Sequence, residues 1–139
     1  MKICFVSQNG HSGKLPRDFP NCRTEFAWQL ALNADHFPIQ SLLDNKDNVS
    51  GYDVVIVILP KKLETIDTVR LLGVVKAIGK KVTVMQEGPA WYYQDYNYTN
   101  QVNYINFLSS MDFLLTHNKS DISYFKGIFK MPTFNLQSL

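Results

Sequence analysis

The stretch GYDVVIVILP, residues 51–60, decides the fold class of this chain. An unbroken apolar run from Val54 to Leu59 follows the turn-forming Gly51 and stops at Pro60. A run of this length, rich in β-branched residues, is typical of a strand that is buried on both faces. Such strands belong to parallel sheets that are covered by helices on both sides. This stretch therefore predicts an α/β fold.

Other apolar runs repeat this strand character and alternate with segments of helical periodicity. Further strands are predicted at residues 3–6, 37–43, 82–86 and 112–116, with an edge strand at 131–136. Helices are predicted at residues 23–34, 63–78, 100–111 and 121–129. We therefore expect one Rossmann-like domain over residues 1–139, a doubly wound three-layer sandwich. Its mainly parallel sheet has five to six strands, most simply in the order 2-1-3-4-5.

The spacing of apolar residues also predicts which helix faces are buried. In the first helix the predicted buried positions are Phe26, Ala27, Leu30, Ala31 and Ala34. In the second helix a strict three-residue spacing selects Leu63, Ile66, Val69, Leu72, Val75 and Ile78.

Composition and charge exclude several classes of protein. The net charge of +2 comes from 14 basic and 12 acidic residues, which is too balanced to indicate nucleic-acid binding. Cys4 and Cys22 have no metal-ligand spacing, and Cys4 lies in a predicted strand, so a disulfide framework is not expected. Neither a signal peptide core nor an apolar run of about 20 residues is present. We expect a cytoplasmic protein without a membrane span.

Ligands of doubly wound sheets bind beyond the carboxyl ends of the strands, where the strand order reverses. That rule selects a set of candidate residues from the predicted loops. The loop after strand one supplies Asn9, Gly10, His11, Gly13, Lys14 and Arg17 as substrate-binding candidates, and later loops add Trp91 and Asn118. The loops after strands four and five also supply Glu87 and His117, the two catalytic candidates.

The loop after strand one, SQNGHSGKLPRDFP, does not match either familiar phosphate-binding motif. Its two glycines are too close for a Walker loop, and Leu15 follows Lys14 where a serine or threonine is required. A dinucleotide fingerprint needs three glycines that open a helix directly. Two roles stay open: glycines that let a ligand approach the backbone beside Lys14 and Arg17, or a surface loop with hydrated charges.

Glu87 and His117 each have a chemical and a structural interpretation. A carboxylate at the end of a buried strand is partly desolvated and can act as a base or bind hydroxyls. It can equally cap a helix or pair with Arg17 or Arg23. His117 can accept a proton or bind a polar group, or it can be a structural histidine. No metal-ligand spacing links it with His11 or His36, so we assign no metal.

Five aromatic residues follow strand four in the stretch VMQEGPAWYYQDYNY, residues 84–98. Three explanations compete for Trp91, Tyr92, Tyr93, Tyr96 and Tyr98. The rings can belong to the core, they can stack on a sugar or base, or they can form a protein interface.

Four segments along the chain carry a resemblance to a known family: KICFVSQNG, RTEFAWQLALNA, MQEGPAWYYQDY and MDFLLTHNKSDISYFKG. Together they resemble the amino-terminal domain of GT-B glycosyltransferases, and the bacterial and phage-type members most closely. The resemblance extends over nearly the whole chain as a βα pattern, and its most specific parts are the EGP-plus-aromatics loop and the THNKSD segment.

This resemblance implies a function that needs a second domain. In the family, the first domain mainly holds the acceptor and the second binds the nucleotide-sugar donor. It implies that residues 9–14, Glu87, Trp91, His117 and Asn118 line the cleft between the domains. The sequence ends at Leu139, where the family's second domain begins. We therefore expect a donor-binding domain or second subunit as partner, no cofactor bound by this domain, and no transfer by the chain alone.

Two other functions compete with this one. The chain can be a non-catalytic binding or interaction module that uses the same aromatic rim, including as a homodimer through exposed aromatic residues. It can also be a flavodoxin-like or receiver-like domain. Against the receiver, Ser7-Gln8 and Pro60-Lys61 occupy the places where that fold requires acids.

Overall fold

The computed structural model describes residues 1–8, 13–14, 24–59, 67–78, 81–86 and 90–136. These residues form an α/β structure with one seven-stranded sheet. The strands are β1 (Ile3–Ser7), β2 (Gly13–Lys14), β3 (Asp35–Pro38), β4 (Val54–Leu59), β5 (Lys81–Gln86), β6 (Phe113–Thr116) and β7 (Thr133–Asn135). The helices are α1 (Thr24–Ala31), α2 (Ile39–Asp44), α3 (Thr68–Ala77), α4 (Tyr98–Ser109) and α5 (Asp121–Ile128), with 3-10 helices at Lys46–Val49 and Ala90–Asp95.

The sheet is larger than predicted and is mixed. Its strand order is β2-β3-β1-β4-β5-β6-β7, and every neighbouring pair is parallel except β2 and β3. The order of the five predicted strands is therefore confirmed, as is the edge strand near the carboxyl terminus. The seventh strand is β2, a two-residue antiparallel strand inside a segment that we predicted as loop. Glycine and lysine carry no strand pattern over two residues, so periodicity could not detect it.

The predicted second strand is only partly correct. Strand β3 occupies Asp35–Pro38, and the residues that follow it, Ile39–Asp44, form helix α2 instead of continuing the strand. Pro38 has extended backbone angles and stands at the N-cap of α2. Within α2 the two buried residues, Ile39 and Leu42, are three apart. That spacing fits one face of a helix. The segment Ile39–Asp44 is too short for the spacing of its apolar residues to distinguish a helix from a strand.

Right-handed crossovers explain how the helices are distributed over the two faces of the sheet. The connection from β1 to β3 runs in one direction across the sheet, and all later connections between parallel strands run in the other. Since each crossover is right-handed, α1 must lie on one face and α2 to α5 on the other. In the described part of the chain, α1 is the one helix on its face.

Two apolar clusters follow from this arrangement. The larger cluster packs α2 to α5 against alternate residues of β1, β4, β5 and β6, and it includes Leu71, Phe107 and Phe125. The smaller cluster lies between α1 and the opposite face of the sheet. It consists of Phe5, Trp28, Ala34, Ile56, Ile58 and Met85.

The buried faces of two helices differ from the prediction. In α3, Val75 is buried as predicted and Leu71 is buried in addition, while Val69 is 62% exposed; Leu63 and Ile66 lie outside the described residues. A strict three-residue spacing rotates by about 60° per step around a helix of 3.6 residues per turn, so its members cannot all face the core. In α1, Phe26 is buried as predicted, but Trp28 and Gln29 are also buried and Leu30 is exposed. The burial of Trp28 matters for the candidate site.

Candidate functional site at the carboxyl edge of the sheet

The strand order reverses between β1 and β4, because the connections that leave these strands run to opposite faces. The carboxyl ends of β1, β4, β5 and β6 lie along one edge of the sheet. A ligand of this fold class is expected beyond that edge. We call it the carboxyl edge and define it by Ser7, Leu59, Gln86 and Thr116, the last residues of the four strands.

His117 lies at this edge, directly after β6, as the sequence predicts. Its ring stacks on the indole of Trp28, with ring centroids 4.8 Å apart and planes inclined by 26°. Trp28 comes from α1 and is buried in the smaller apolar cluster. His117 itself is half-buried. The stack therefore fixes the plane of the imidazole ring of a half-buried residue at this edge.

Asn118, the next predicted site residue, is also half-buried and is held by hydrogen bonds around the end of β6. Its backbone N–H donates to Thr116 Oγ1 over 3.1 Å. The neighbouring edge strand contributes as well, since Asn135 Nδ2 donates to the Thr116 carbonyl oxygen over 2.9 Å. The structure thus brings His117 and Asn118 together in one ordered turn.

Asp121 connects this turn to the loop that follows β5. It is the first residue of α5, is 6% exposed, and accepts a 2.9 Å hydrogen bond from the backbone N–H of Ala90. Burial raises the pKa of its carboxyl group, while the hydrogen bonds from Ala90 and the Asn118 side chain act in the opposite direction. One buried carboxylate therefore ties together the two loops that carry Trp91 and His117.

The raised pKa of Asp121 leads to a prediction about pH and stability. When the pKa of a carboxyl group is higher in the folded than in the unfolded chain, its ionised form destabilises the fold at pH values above the folded pKa. This destabilisation disappears as the pH falls below the pKa of the unfolded chain, because the group is then protonated in both states. Asp121→Asn removes the charge but keeps an acceptor oxygen for the Ala90 N–H. We expect this variant to be more stable than the parent at pH 7, with the difference shrinking towards pH 4.

Urea denaturation at several pH values measures this difference. Asp47→Asn is a suitable control because the Asp47 side chain is exposed and its carboxylate stays hydrated. It should show no comparable gain at pH 7. A lower stability of Asp121→Asn than of the parent at pH 7 would mean that the Asp121 charge is a net stabiliser, contrary to the prediction.

Of the five aromatic side chains after β5, the three that the structure describes divide between core and surface, and those of Trp91 and Tyr92 lie outside the described part. Tyr93 lies in the larger cluster and stacks on Tyr104 of α4, with centroids 4.0 Å apart. Tyr96 contacts the Tyr93 ring edge-on at 5.5 Å and is half-buried. Tyr98, in contrast, is 81% exposed. The core explanation is thus correct for Tyr93, while Tyr98 faces solvent.

A second pair of polar side chains, which the sequence did not single out as a site, lies at the end of β1. Ser7 Oγ is 2.8 Å from His36 Nε2 of the neighbouring strand β3. His36 is fully buried, and its ring contacts Phe26 of α1 at 5.7 Å. Ser7 is half-buried and lies beside the point where the strand order reverses. The buried imidazole of His36 therefore holds the hydroxyl of a partly exposed residue at this position. Such a hydroxyl can donate to, or accept from, a polar ligand group.

Lys14 lies away from the carboxyl edge, contrary to the predicted location, and Gly13 is level with the middle of β1. Because β2 runs antiparallel to β3, Gly13 pairs with His36 and Lys14 with Asp35 at the start of that strand. Lys14 Nζ donates to Asn33 and is 3.7 Å from the Asp35 carboxylate. The short strand therefore carries Lys14 back towards the amino ends of the strands.

A cavity of about 500 Å³ adjoins Lys14 at this opposite, amino edge. Its polar groups are largely engaged with one another, since the Tyr52 hydroxyl donates to Asp35 and Lys14 bonds to Asn33. Burial and the Asp35 carboxylate raise the pKa of Tyr52 above its ordinary value. Burial also raises the pKa of the Cys4 thiol to about 12, which agrees with the inert buried cysteine expected from the sequence. We interpret the hydrogen-bonded residues around this cavity as a structural network.

Several predicted site residues lie outside the described residues. They are Asn9, Gly10, His11, Arg17 and Glu87. The backbone of Trp91 lies in the 3-10 helix Ala90–Asp95, but its side chain is outside the described part. The assignments of Glu87 as catalytic and of the other residues as ligand-binding stay predictions.

Sequence reasoning missed Trp28, Asp121 and the Ser7–His36 pair. Trp28 does not fall on the apolar face that the spacing of α1 selects, and its partner His117 is distant in sequence. Asp121 follows a turn-forming segment and opens a helix, where an acid is usually explained as a favourable charge near the helix N-terminus. Only its contact with Ala90 shows the additional role. Ser7 and His36 become neighbours only once β1 and β3 are paired.

Comparisons of this chain with protein-family models, with curated proteins and with solved structures found no match. Among the residues that the structure describes, no helix is both long and apolar enough to cross a membrane. Over the same described ranges, no three histidine, cysteine, aspartate or glutamate side chains are grouped in a way that could hold a metal ion.

Proposed function

We propose that this chain is the acceptor-side domain of a glycosyltransferase, which requires a donor-binding domain or subunit for transfer. The observation that carries the proposal is the stack of His117 on Trp28 at the carboxyl edge. It supplies an imidazole, a group that can accept a proton, whose ring plane is fixed by the stack. The resemblance of the EGP-plus-aromatics loop and the THNKSD segment to the glycosyltransferase domain supports the same function.

Glycosyl transfer requires few catalytic groups from the acceptor-side domain. A hydroxyl of the acceptor attacks the anomeric carbon of the donor, and the sugar–phosphate bond breaks as the nucleoside diphosphate leaves with its electron pair. A base removes the proton from the attacking hydroxyl. His117 or Glu87 provides that base, and Asn118 and Trp91 contact the acceptor. The nucleotide sugar is bound by the partner domain.

Binding of a simple acceptor sugar tests this proposal without the partner domain. We expect methyl glycosides to shift the NMR signals of His117 and Asn118 and to leave those of Asp35 and Tyr52, at the amino edge, unchanged. His117→Ala should weaken binding by about tenfold, because both the stacked ring and its polar nitrogen are removed. His117→Phe is the matched control that keeps the stack without the nitrogen. Shifts confined to the amino edge would contradict the proposal.

A second function, an interaction module without catalysis, has support from one observation. The ring of Phe134 on the edge strand β7 is 55% exposed and contacts Phe113 of β6 at 6.0 Å. Exposed aromatic residues are favoured in protein interfaces. Sedimentation over a wide concentration range tests the self-associating version, which predicts a dimer that Phe134→Ser removes. A monomer at all concentrations would contradict it.

A further inference from the structure

Ser7 and His36 form a second polar group at the carboxyl edge, apart from His117. Ser7 is the last residue of β1, and its Oγ lies 2.8 Å from His36 Nε2. The parallel pairing of β1 with β3 brings the two together, since Phe5 is opposite His36 and Ser7 lies two residues further on. His36 is 1% exposed, and its ring contacts that of Phe26 at 5.7 Å. The hydroxyl of Ser7 is therefore held by a side chain that is itself fixed in the core.

Ser7 and His117 lie on the same face of the sheet. Side chains alternate along a strand, so Ser7 shares the face of Phe5, which belongs to the smaller apolar cluster beneath α1. His117 shares this face as well, because its ring stacks on Trp28 of α1. Both Ser7 and His117 are half-buried. The α1 side of the carboxyl edge thus has one partly exposed polar residue at the end of β1 and another directly after β6.

The register of the sheet gives the separation of these two residues. Successive pairings across β4 and β5 place Val6 of β1 level with Leu114 of β6. Ser7 is one residue beyond Val6, whereas His117 is three residues beyond Leu114. Three strand spacings amount to about 14 Å across the sheet, and two residues to about 7 Å along a strand. The backbones of Ser7 and His117 are therefore roughly 16 Å apart.

We propose that Ser7 is a second ligand-binding residue of the carboxyl edge, positioned by His36, and that the ligand is long enough to contact both Ser7 and His117. A hydroxyl group both donates and accepts, so Ser7 Oγ can bond to a ligand hydroxyl while it is bonded to His36. The choice of a sugar as this ligand rests on the proposed function. The acceptor is then an oligosaccharide, because a single sugar ring is too short to reach both residues.

His36 acts on the ligand only through Ser7. A serine hydroxyl rotates freely unless a partner fixes it, and orientation before binding lowers the entropy that binding costs. The buried imidazole supplies that partner. His36→Phe keeps an aromatic ring beside Phe26 and removes the nitrogen that holds the Ser7 hydroxyl. This variant should therefore bind the oligosaccharide more weakly, although His36 does not contact it.

Titration of the 139-residue chain with two sugars of different length tests the proposal. The parent should bind maltotriose about tenfold more tightly than methyl α-glucoside, since only the longer sugar adds a hydrogen bond at Ser7. Ser7→Ala should remove this gain, and Ser7→Thr, which keeps the hydroxyl, should retain it. Ser50→Ala is the matched control, because Ser50 is exposed and lines the cavity at the amino edge. It should bind both sugars as the parent does.

The imidazole nitrogen signals of His36 supply a readout that a merely structural serine would not change. Maltotriose should shift them, because a sugar hydroxyl bonded to Ser7 Oγ alters the bond between Oγ and Nε2. Methyl α-glucoside should shift the signals of His117 and leave those of His36 in place. Since this readout uses the parent protein, it decides the proposal even if His36→Phe does not fold.

The outcomes separate this inference from the proposed function. Equal maltotriose affinity of the parent and Ser7→Ala, or His36 signals that stay unchanged in the maltotriose complex, would overturn the inference. If methyl α-glucoside binds at His117 and maltotriose binds no more tightly, the inference fails while the proposed function stands. Binding of neither sugar to the parent counts against the proposed function and against this inference with it.

Discussion

Replacement of Trp28 by alanine is expected to lower the free energy of unfolding by about 3–5 kcal/mol. Trp28 is a buried member of the smaller apolar cluster, which also contains Phe5, Ile58 and Met85. Its removal costs the transfer energy of the ring and leaves a cavity. In the described part of the chain no other helix lies on this face, so α1 alone would have to move to fill the space. Urea denaturation measures the loss.

The same substitution should free the ring of His117. In the parent, the indole beneath it shifts the NMR signals of the imidazole, and this shift should disappear in Trp28→Ala. Leu30→Ala, on the same helix but exposed, is the control, with an expected change within about 0.5 kcal/mol and unaltered His117 signals. An unchanged His117 spectrum in Trp28→Ala would show that the stack does not hold the ring.

Replacement of Tyr104 by alanine is the second large effect, again about 3–5 kcal/mol. Tyr104 is 4% exposed, and its ring stacks on Tyr93, which belongs to the 3-10 helix Ala90–Asp95 after β5. Burial raises the pKa of the Tyr104 hydroxyl well above its ordinary value, so it stays protonated over the physiological range. The substitution should destabilise the fold and loosen this 3-10 helix.

Tyr98→Ala provides a closely matched control for this prediction. Tyr98 lies on the same helix α4 but is 81% exposed, so the same substitution should change the stability by no more than about 0.5 kcal/mol. Hydrogen exchange at the Ala90 amide should accelerate in Tyr104→Ala and not in Tyr98→Ala. Equal effects of the two variants would contradict the division of these tyrosines into core and surface.

The sequence was most informative where one physical requirement dominated. The run from Val54 to Leu59 identified a strand buried on both faces, because only such a strand tolerates apolar residues at every position. The succession of strands and helices then predicted a parallel sheet and, through the handedness of crossovers, the order of its strands. His117 and Asn118 were placed at the carboxyl edge by the same reasoning.

The secondary-structure predictions were wrong where the local sequence pattern was compatible with more than one structure. Ile39–Asp44 was too short for its periodicity to separate strand from helix, and two residues at Gly13–Lys14 were too few to show a strand at all. The second error had a consequence for the site. Lys14 was expected at the carboxyl edge, and the antiparallel course of β2 carries it to the amino end of β3.

By itself, the sequence determined the α/β class, the strand order and the edge at which a ligand is expected, because these follow from burial and chirality along the chain. Only the tertiary structure decided which side chains meet at that edge. The stack of Trp28 on His117, the bond from Ala90 to Asp121 and the Ser7–His36 pair each join residues from separate elements. Such contacts depend on how helices and loops pack across the sheet, and periodicity along a single segment carries no information about them.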